Sequence, residues 1–537
     1  MKRSDSYGGL LSGAATLGRR QFLQGVAAVG AVAGTGGLIA GCSSSSSTLG
    51  TSTRASIKRG GNLIVGLSGS SGNDTLDPHQ GLTFLDSARA QSLYQSLVQL
   101  NNQAQNEYVL AEEITPNSST EFIIRLRPGV TFHSGKALTA QDVIYTFRRI
   151  ISGKLTGISS LGPMDAAALK ALDNRTVQVT FTSPYASFID HLASYWFYVY
   201  IIPDGFNPAA KNAKPDGTGP FVYQSFTPGQ RSVFARNPHF WQSGLPYVDT
   251  LTVIDFPSNT SLQDALTTGQ IHAAGGFDGP ELAALGTASG VKALASHTGA
   301  ITPFTMRVDK PPFNDVRVRQ ALRLLVDRPQ LIDSALDGYG VVANDVFSPY
   351  DPDFYTVLHR EQDIPHAKSL LKAAGHENLK VTLVTSAAAT GMVAMATVLA
   401  EQAKAAGVTI TLNNVSPSTF FGPSSYLQSP FSQDFYGYAT YLAQVAQSML
   451  PTSPFNETHT NDPTLTNFYN QANATIDPAA RKQIEHDMQQ FDFDQGGYII
   501  PAYIDSLDAY STKITGYSTS AAGAPLSNLD FEKWSFV

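Results

Sequence analysis

The chain of 537 residues carries one cysteine, Cys42, at the end of an apolar segment and the start of a serine run. From that point on it has no thiol for a disulfide, a catalytic cysteine or a Cys-based metal site, so everything downstream must be held by an ordinary hydrophobic core. The 496 residues from Cys42 to Val537 are long enough for one. At about 150 residues per domain, two to four domains are expected.

Upstream of Cys42 stand Lys2, Arg3 and the pair Arg19-Arg20, followed by "GVAAVGAVAGTGGLIA" from Gly25 to Ala40. This run of 16 residues is Gly/Ala-rich and shorter than the roughly 20 needed for a permanent spanning helix, so it reads as an export signal. "RRQFLQ" resembles a twin-arginine signal, with Gly18 and Gln24 departing from that pattern. Ile39-Ala40-Gly41-Cys42 resembles a bacterial lipobox, which implies cleavage before Cys42 and a diacylglycerol on its sulfur. Two acyl chains, at about 0.8 kcal/mol per buried CH2, hold a protein at a membrane durably. Ser43 to Thr53 is then a flexible tether. Loss of residues 1–41 removes four basic residues and one acidic residue, which takes the formal charge from −7 down by three to −10. A mildly acidic surface argues against nucleic acid as a partner.

Along the body, strand and helix patterns alternate. Leu63 to Gly66 reads as a short buried strand entering a glycine-rich turn; Gly66, Gly69 and Gly72 fit neither dinucleotide nor Walker spacing. Phe122, Ile124 and Leu126 share one strand face before the turn at Pro128-Gly129. Thr139 with Asp142 forms a capping box ahead of Val143, Phe147 and Ile150 at helical spacing. Asp315 caps a helix whose Val318, Ala321, Leu322, Leu325 and Val326 form a core stripe, and Pro329 suits the first turn of the next. "LKVTLVTS", a helix from Met392 to Ala406 closed by Gly407, and "VTITLNNV" make a βαβ unit, from which an α/β lobe with a largely parallel sheet is expected. A helix "DPAARKQIEHDMQQFDFDQ" and a strand "GYIIPAYI" follow.

Catalytic patterns are absent. The histidines show no H-E-x-x-H and no i, i+4 pairing, His133 in "FHSG" reads as a loop hydrogen-bonding residue, and no G-x-S-x-G occurs. Ser369 and Lys372 match S-x-x-K on a plain amphipathic helix without a K-T-G partner. No catalytic residue, metal or cofactor is expected; a secreted hydrolase using two carboxylates is the rival from another class.

Several segments, in order, carry a resemblance: "TLDPHQ" (75–80), "LYQSLV" (93–98), "LRPGVTFHSGKALTAQDVIYTF" (126–147), "GTGPF" (217–221), "ARNPHFW" (235–241) and "PPFNDVRVRQALRLLVDR" (311–328). Together they resemble the family 5 extracellular solute-binding proteins of ABC importers, the peptide- and nickel-binding type. The resemblance implies an α/β, two-lobed periplasmic-binding-protein-like fold of type II, with an extra α+β subdomain inserted in the first lobe. The implied division is signal 1–41, tether 42–60, first lobe 61–92 with 219–303 and 505–537, inserted subdomain 93–218, and second lobe 304–504. It also implies capture of a peptide or other small solute between the lobes, delivery to ABC permease subunits, a monomer, and a position on the outer face of the bacterial membrane.

In peptide-binding relatives a W-x-x-D element supplies an aromatic wall and a carboxylate for the peptide's amine. The matching stretch, "FYGYATYLAQ", puts Tyr438 at the Trp, Ala439 after it and Tyr441 at the Asp. A buried ammonium without a counter-charge is strongly disfavoured, so either another acid, such as nearby Asp434, takes over, or the ligand presents no cation there. Longer or blocked peptides and neutral oligosaccharides then become candidates. Thr83 and Phe84, after the "LDPHQ" turn, are expected at the cleft by the same resemblance.

Overall fold

The chain begins its described course with Asn62–Ser68 (β1), a strand that packs Leu63, Val65 and Leu67 inward with no more than 2 % exposure. The structure is a computed structural model that describes residues 57–69, 74–81, 83–193, 199–210 and 213–537. Cys42, Arg19 and Arg20 lie outside the described residues. Ala55–Val537 forms one compact unit.

Thr83 caps the helix Phe84–Leu93 (α1): its hydroxyl accepts from the Asp86 N–H at 3.1 Å. The chain then leaves the first sheet to build a four-stranded antiparallel sheet from Ala111–Ser118 (β2), Glu121–Leu126 (β3), Lys170–Asp173 (β4) and Thr176–Thr180 (β5), in the order β2-β3-β5-β4. Phe122, Ile124 and Leu126 are buried on one face of it, as the period of two requires. Ala140–Gly153 (α2) packs against this sheet, its entry fixed by a 2.7 Å bond from the Thr139 N–H to the Asp142 carboxylate. The short helix Phe188–Leu192 (α3) completes the excursion.

The chain returns as Phe221–Thr227 (β6), Arg231–Arg236 (β7), Thr250–Phe256 (β8), Ala273–Gly275 (β9) and Val291–Ile301 (β10). These join β1 and the late strand Ala502–Ser511 (β17) in a large mixed sheet ordered β10-β17-β9-β1-β8-β7-β6. In it β1 runs parallel to β8 and β9, and the remaining pairs are antiparallel.

Between β10 and β17 the chain makes the other half of the molecule. Phe304–Met306 (β11), Phe431–Gln433 (β15) and Tyr498–Ile499 (β16) form a three-stranded antiparallel sheet, while Gly340–Val342 (β12) reaches back to pair with β17. Val316–Leu324 (α4) and Arg328–Ala335 (α5) begin at Asp315 and Asp327, whose side chains accept helical N–H groups as N-caps. The stripe Val318, Ala321, Leu322, Leu325, Val326 is buried in the core of this half. Lys380–Ser386 (β13), Met392–Ala403 (α6) and Thr409–Val415 (β14) are the expected βαβ unit, with β13 and β14 parallel in register Lys380↔Thr409.

The largely parallel sheet expected around that unit does not form. The pair β13-β14 is two-stranded, and the neighbouring strands are two or three residues long and antiparallel; α4, α5 and α6 pack around the pair, while Tyr441–Ser448 (α7), Pro463–Ala474 (α8) and Pro478–Gln495 (α9) build a second core. The "GYIIPAYI" stretch is likewise two strands: β16 stops at Ile499 and β17 starts at Ala502, since Pro501 has no N–H to give a ladder. Among the described residues no helix is long and apolar enough to cross a membrane.

Candidate functional site: a crevice between the two halves

Two long connections, β10 and β17, pair with each other and carry the chain from one half to the other. Where they pair, Thr298, residues 300–302 and residues 504–507 form the floor of a crevice of about 840 Å³. That volume lies in the roughly 300–1,000 Å³ range of small-molecule clefts. One wall comes from the large-sheet half (Leu67, Ser68, Phe84 and residues 275–280), and the facing wall from the other half (residues 335–337, 387–394 and 435–437).

The wall has a simple topological origin. Leu67 and Ser68 end β1, residues 275–280 follow β9, and residues 387–394 follow β13, so the crevice gathers the carboxyl ends of the parallel strands. Chains leaving parallel strands at that end diverge and leave room for a ligand. Segment 435–437 is fixed to the floor by reciprocal 2.9 Å bonds between the backbones of Tyr436 and Ile301. Polar groups on the walls are partly committed: Asp278 accepts the Glu281 N–H at 2.9 Å as a helix cap, and Asp505 accepts from His297 Nδ1 at 2.8 Å. That hydrogen bond raises the His297 imidazole above its ordinary value against the opposing effect of burial.

The residues singled out from the sequence fall in three places. Phe84 lines the crevice. Thr83 is occupied as the cap of α1, and Ala439 is buried. Tyr438 and Tyr441 are each 1 % exposed, with hydroxyls that have no hydrogen-bond partner. The Tyr438 ring lies against Gly299 in β10, where a Cβ would run into it, and makes an edge-on contact with Tyr350 at 5.9 Å. Tyr441 opens α7 with its ring in the core of the second half. Asp434 does not take over as a cleft acid: it is 4 % exposed, accepts from the Tyr426 hydroxyl at 2.9 Å, and sits beside Glu457, which receives the hydroxyls of Tyr436 and Tyr498. Burial and the neighbouring Asp434 push the Glu457 carboxyl well up.

The motif segments themselves are scaffold. His133 Nδ1 accepts the Gly217 N–H at 3.3 Å while Nε2 donates to the Gly219 carbonyl at 3.1 Å, and burial lowers the imidazole below its ordinary value. Asp77 receives Arg149 at 2.5 Å. Arg323 ties α4 to β16 through the carbonyl of Tyr498 (2.7 Å) and to the end of α9 through that of Phe493 (2.8 Å).

Comparison with known proteins agrees with this architecture. Residues 107–470 match the family described as bacterial extracellular solute-binding proteins, family 5 Middle. The glutathione-binding protein GsiB of Escherichia coli O1:K1 / APEC is 26 % identical over 475 residues, spanning 82 % of this chain and 89 % of the relative. The substrate-binding protein CtaP of Listeria monocytogenes superposes with a TM-score of 0.79 at 21 % identity, covering 89 % of this chain and 100 % of that one. DppA of Helicobacter pylori, solved with the peptide STSA, gives 0.73 at 21 % identity, covering 89 % and 98 %. AppA of Bacillus subtilis, solved with a nonapeptide, gives 0.71 at 20 % identity, covering 90 % and 100 %. With a crevice between two α/β halves and the family pattern over most of its length, the chain belongs to the family 5 bacterial extracellular solute-binding proteins.

Proposed function

We propose that this protein is the ligand-capturing receptor of a peptide-type ABC importer: it encloses a peptide between its two halves and presents it, unaltered, to membrane permease subunits. The observation that carries the reading is the crevice itself, floored by the two strands that connect the halves. Such strands allow a hinge closure that the ligand drives only through its preference for the closed state. The peptide class is supported by relatives named for, or solved with, glutathione, STSA and a nonapeptide. The division into a first lobe, an inserted subdomain at 93–218 and a second lobe at 304–504 belongs to this reading, as does a monomeric state.

Anchoring through Cys42 after export directed by Arg19 and Arg20 follows from the lipobox-like and twin-arginine-like patterns. A Cys42→Ala change is expected to shift the protein from the membrane pellet to the soluble fraction; retention in the pellet would end the lipoprotein assignment.

Incubating the purified protein with peptide and oligosaccharide pools tests the central claim. Retention of peptides without conversion is expected, whereas turnover would point to a hydrolase. Tyr441 in place of the W-x-x-D carboxylate favours a second reading, the same receptor role for a neutral solute such as an oligosaccharide. Mass spectrometry of material released on denaturing the natively purified protein separates the two.

A further inference from the structure

Phe421 and Phe435 are the only exposed phenylalanines among the described residues, 43 % and 37 % accessible, and they touch each other. Their rings stand at 85° with centroids 6.1 Å apart, which makes an open corner of two aromatic walls. Phe435 is part of the crevice wall, so the corner is continuous with the candidate ligand site. Exposed aromatic surface in such a position marks a contact completed on binding.

The corner is built into the scaffold. Asp434 and Tyr436 are buried on either side of Phe435, and successive side chains of an extended segment point to opposite faces, so Phe435 is turned outward. Asp434 Oδ1 accepts the Phe435 N–H at 2.7 Å. Tyr426, whose hydroxyl donates to Asp434 at 2.9 Å, lays its ring 5.4 Å from that of Phe421. Phe421 follows the short helix Pro417–Phe420 and meets the buried Phe420 ring edge-on at 5.1 Å. Both rings are thus held before a ligand arrives, which keeps the ordering cost of a contact small. Tyr438, at the aromatic position of the W-x-x-D element, is withdrawn against Gly299, 1 % exposed and outside the crevice wall. Phe435 offers a ring where Tyr438 does not. The charged side chains on the crevice walls are Asp278, Asp337 and Asp505, with no lysine or arginine among the described lining residues, so an acidic group gains nothing there.

We propose that Phe421 and Phe435 form a subsite for an uncharged aromatic group of the ligand, in the peptide reading the side chain of a Phe, Tyr or Trp residue. A third ring entering the corner meets two rings already at right angles, and aromatic pairs favour such edge-on and offset contacts. The facing wall carries Leu67, Phe84 and Pro280, apolar groups against which closure desolvates the guest ring. This inference rests on the receptor reading above and specifies its ligand.

Titration calorimetry of the purified protein with Ala-Ala-Ala, Phe-Ala-Ala, Ala-Phe-Ala and Ala-Ala-Phe tests it. One of the three Phe peptides is expected to bind on the order of 10-fold more tightly than Ala-Ala-Ala, and Glu at that same position to bind more weakly than Ala. Phe435→Ala should erase most of the gain and Phe421→Ala part of it, with the affinity for Ala-Ala-Ala unchanged; because both side chains are exposed, each variant should fold as the wild type does. No gain at any position, a gain that survives both variants, or an equal loss for Ala-Ala-Ala and the Phe peptide overturns the subsite. So does a dimer on size exclusion that Phe421→Ala returns to the monomer, which would give the corner to a second copy of the chain. If no peptide binds, the peptide reading falls, and phenyl β-glucoside against methyl β-glucoside decides: tighter binding of the phenyl compound that is lost in Phe435→Ala upholds the subsite, and any other result overturns it.

Discussion

Two clusters of carboxylates in this molecule differ in one respect: one encloses its own cation and the other does not. In the first half, Arg89 is fully buried and meets Asp255 at 2.6 Å, Asp86 at 3.1 Å and Asp74 at 3.2 Å, with Ser232 accepting from its Nε at 2.9 Å. All these groups belong to one half, where α1 packs on β8. The other cluster, Asp190, Asp351, Asp353 and Glu485, has two cations at its rim and straddles the joint between halves. A buried charge network inside a rigid unit must be balanced by the chain itself, because nothing else arrives to balance it. The difference separates an ion cluster closed within one half from one shared between the two.

The largest expected effect is at the first cluster. Arg89→Met strands Asp74 and Asp255 without a counter-ion and should cost about 3–5 kcal/mol, read by urea denaturation; a loss under about 1 kcal/mol would erase the contrast. A smaller effect is expected from pH. Asp351 has its folded-state pKa raised from the ordinary 3.8 to about 6, so its contribution to stability is fully present below pH 3.8 and is lost as pH rises through about 6. Glu485, raised to about 9, and Asp492 and Asp508, each raised to about 7, act in the same direction, so the ligand-free protein should melt lower at pH 7 than at pH 5 by several degrees. A melting temperature that stays level or rises from pH 5 to pH 7 would contradict it. The smallest effect is the most pointed. Asp190→Asn should leave the ligand-free melting temperature nearly unchanged, because it removes a like charge from Asp351 and Glu485 while the amide oxygen can still accept from Asn106, which reaches Asp190 at 2.8 Å. A fall on the scale of Arg89→Met would show the second cluster to be structural as well.

Much of the scaffold was legible because its causes are local. The capping pairs Thr139/Asp142 and Asp315 at the head of α4, the buried stripe of α4, and the turn of β13, α6 and β14 around Gly407 follow from cap chemistry and period, and each lies where that chemistry puts it. The failure of the parallel sheet to extend beyond β13-β14 was not legible, since a βαβ unit specifies one pair and says nothing of what pairs at its edges. The crevice was legible only in part. Phe84 came from the family pattern, residues 387–394 could have been found by following the carboxyl end of the predicted strand "LKVTLVTS", and residues 275–280 follow a strand of three residues too short to leave a periodic signal. The replacement of a missing acid was sought in sequence, at Asp434, but that residue turns into a hydrogen-bonded core with Tyr426 and Glu457.

By itself the order of residues determined the single cysteine and the signal-like segment before it, the succession of capped helices and short strands, and the family pattern. These are properties of neighbours within a turn or two, where geometry leaves few choices. Tertiary structure alone decided which charges meet: Arg89 and Asp255, 166 positions apart, come within 2.6 Å, and no local rule brings them together. Coulomb energy depends on distance through space, and only the packed chain sets that distance.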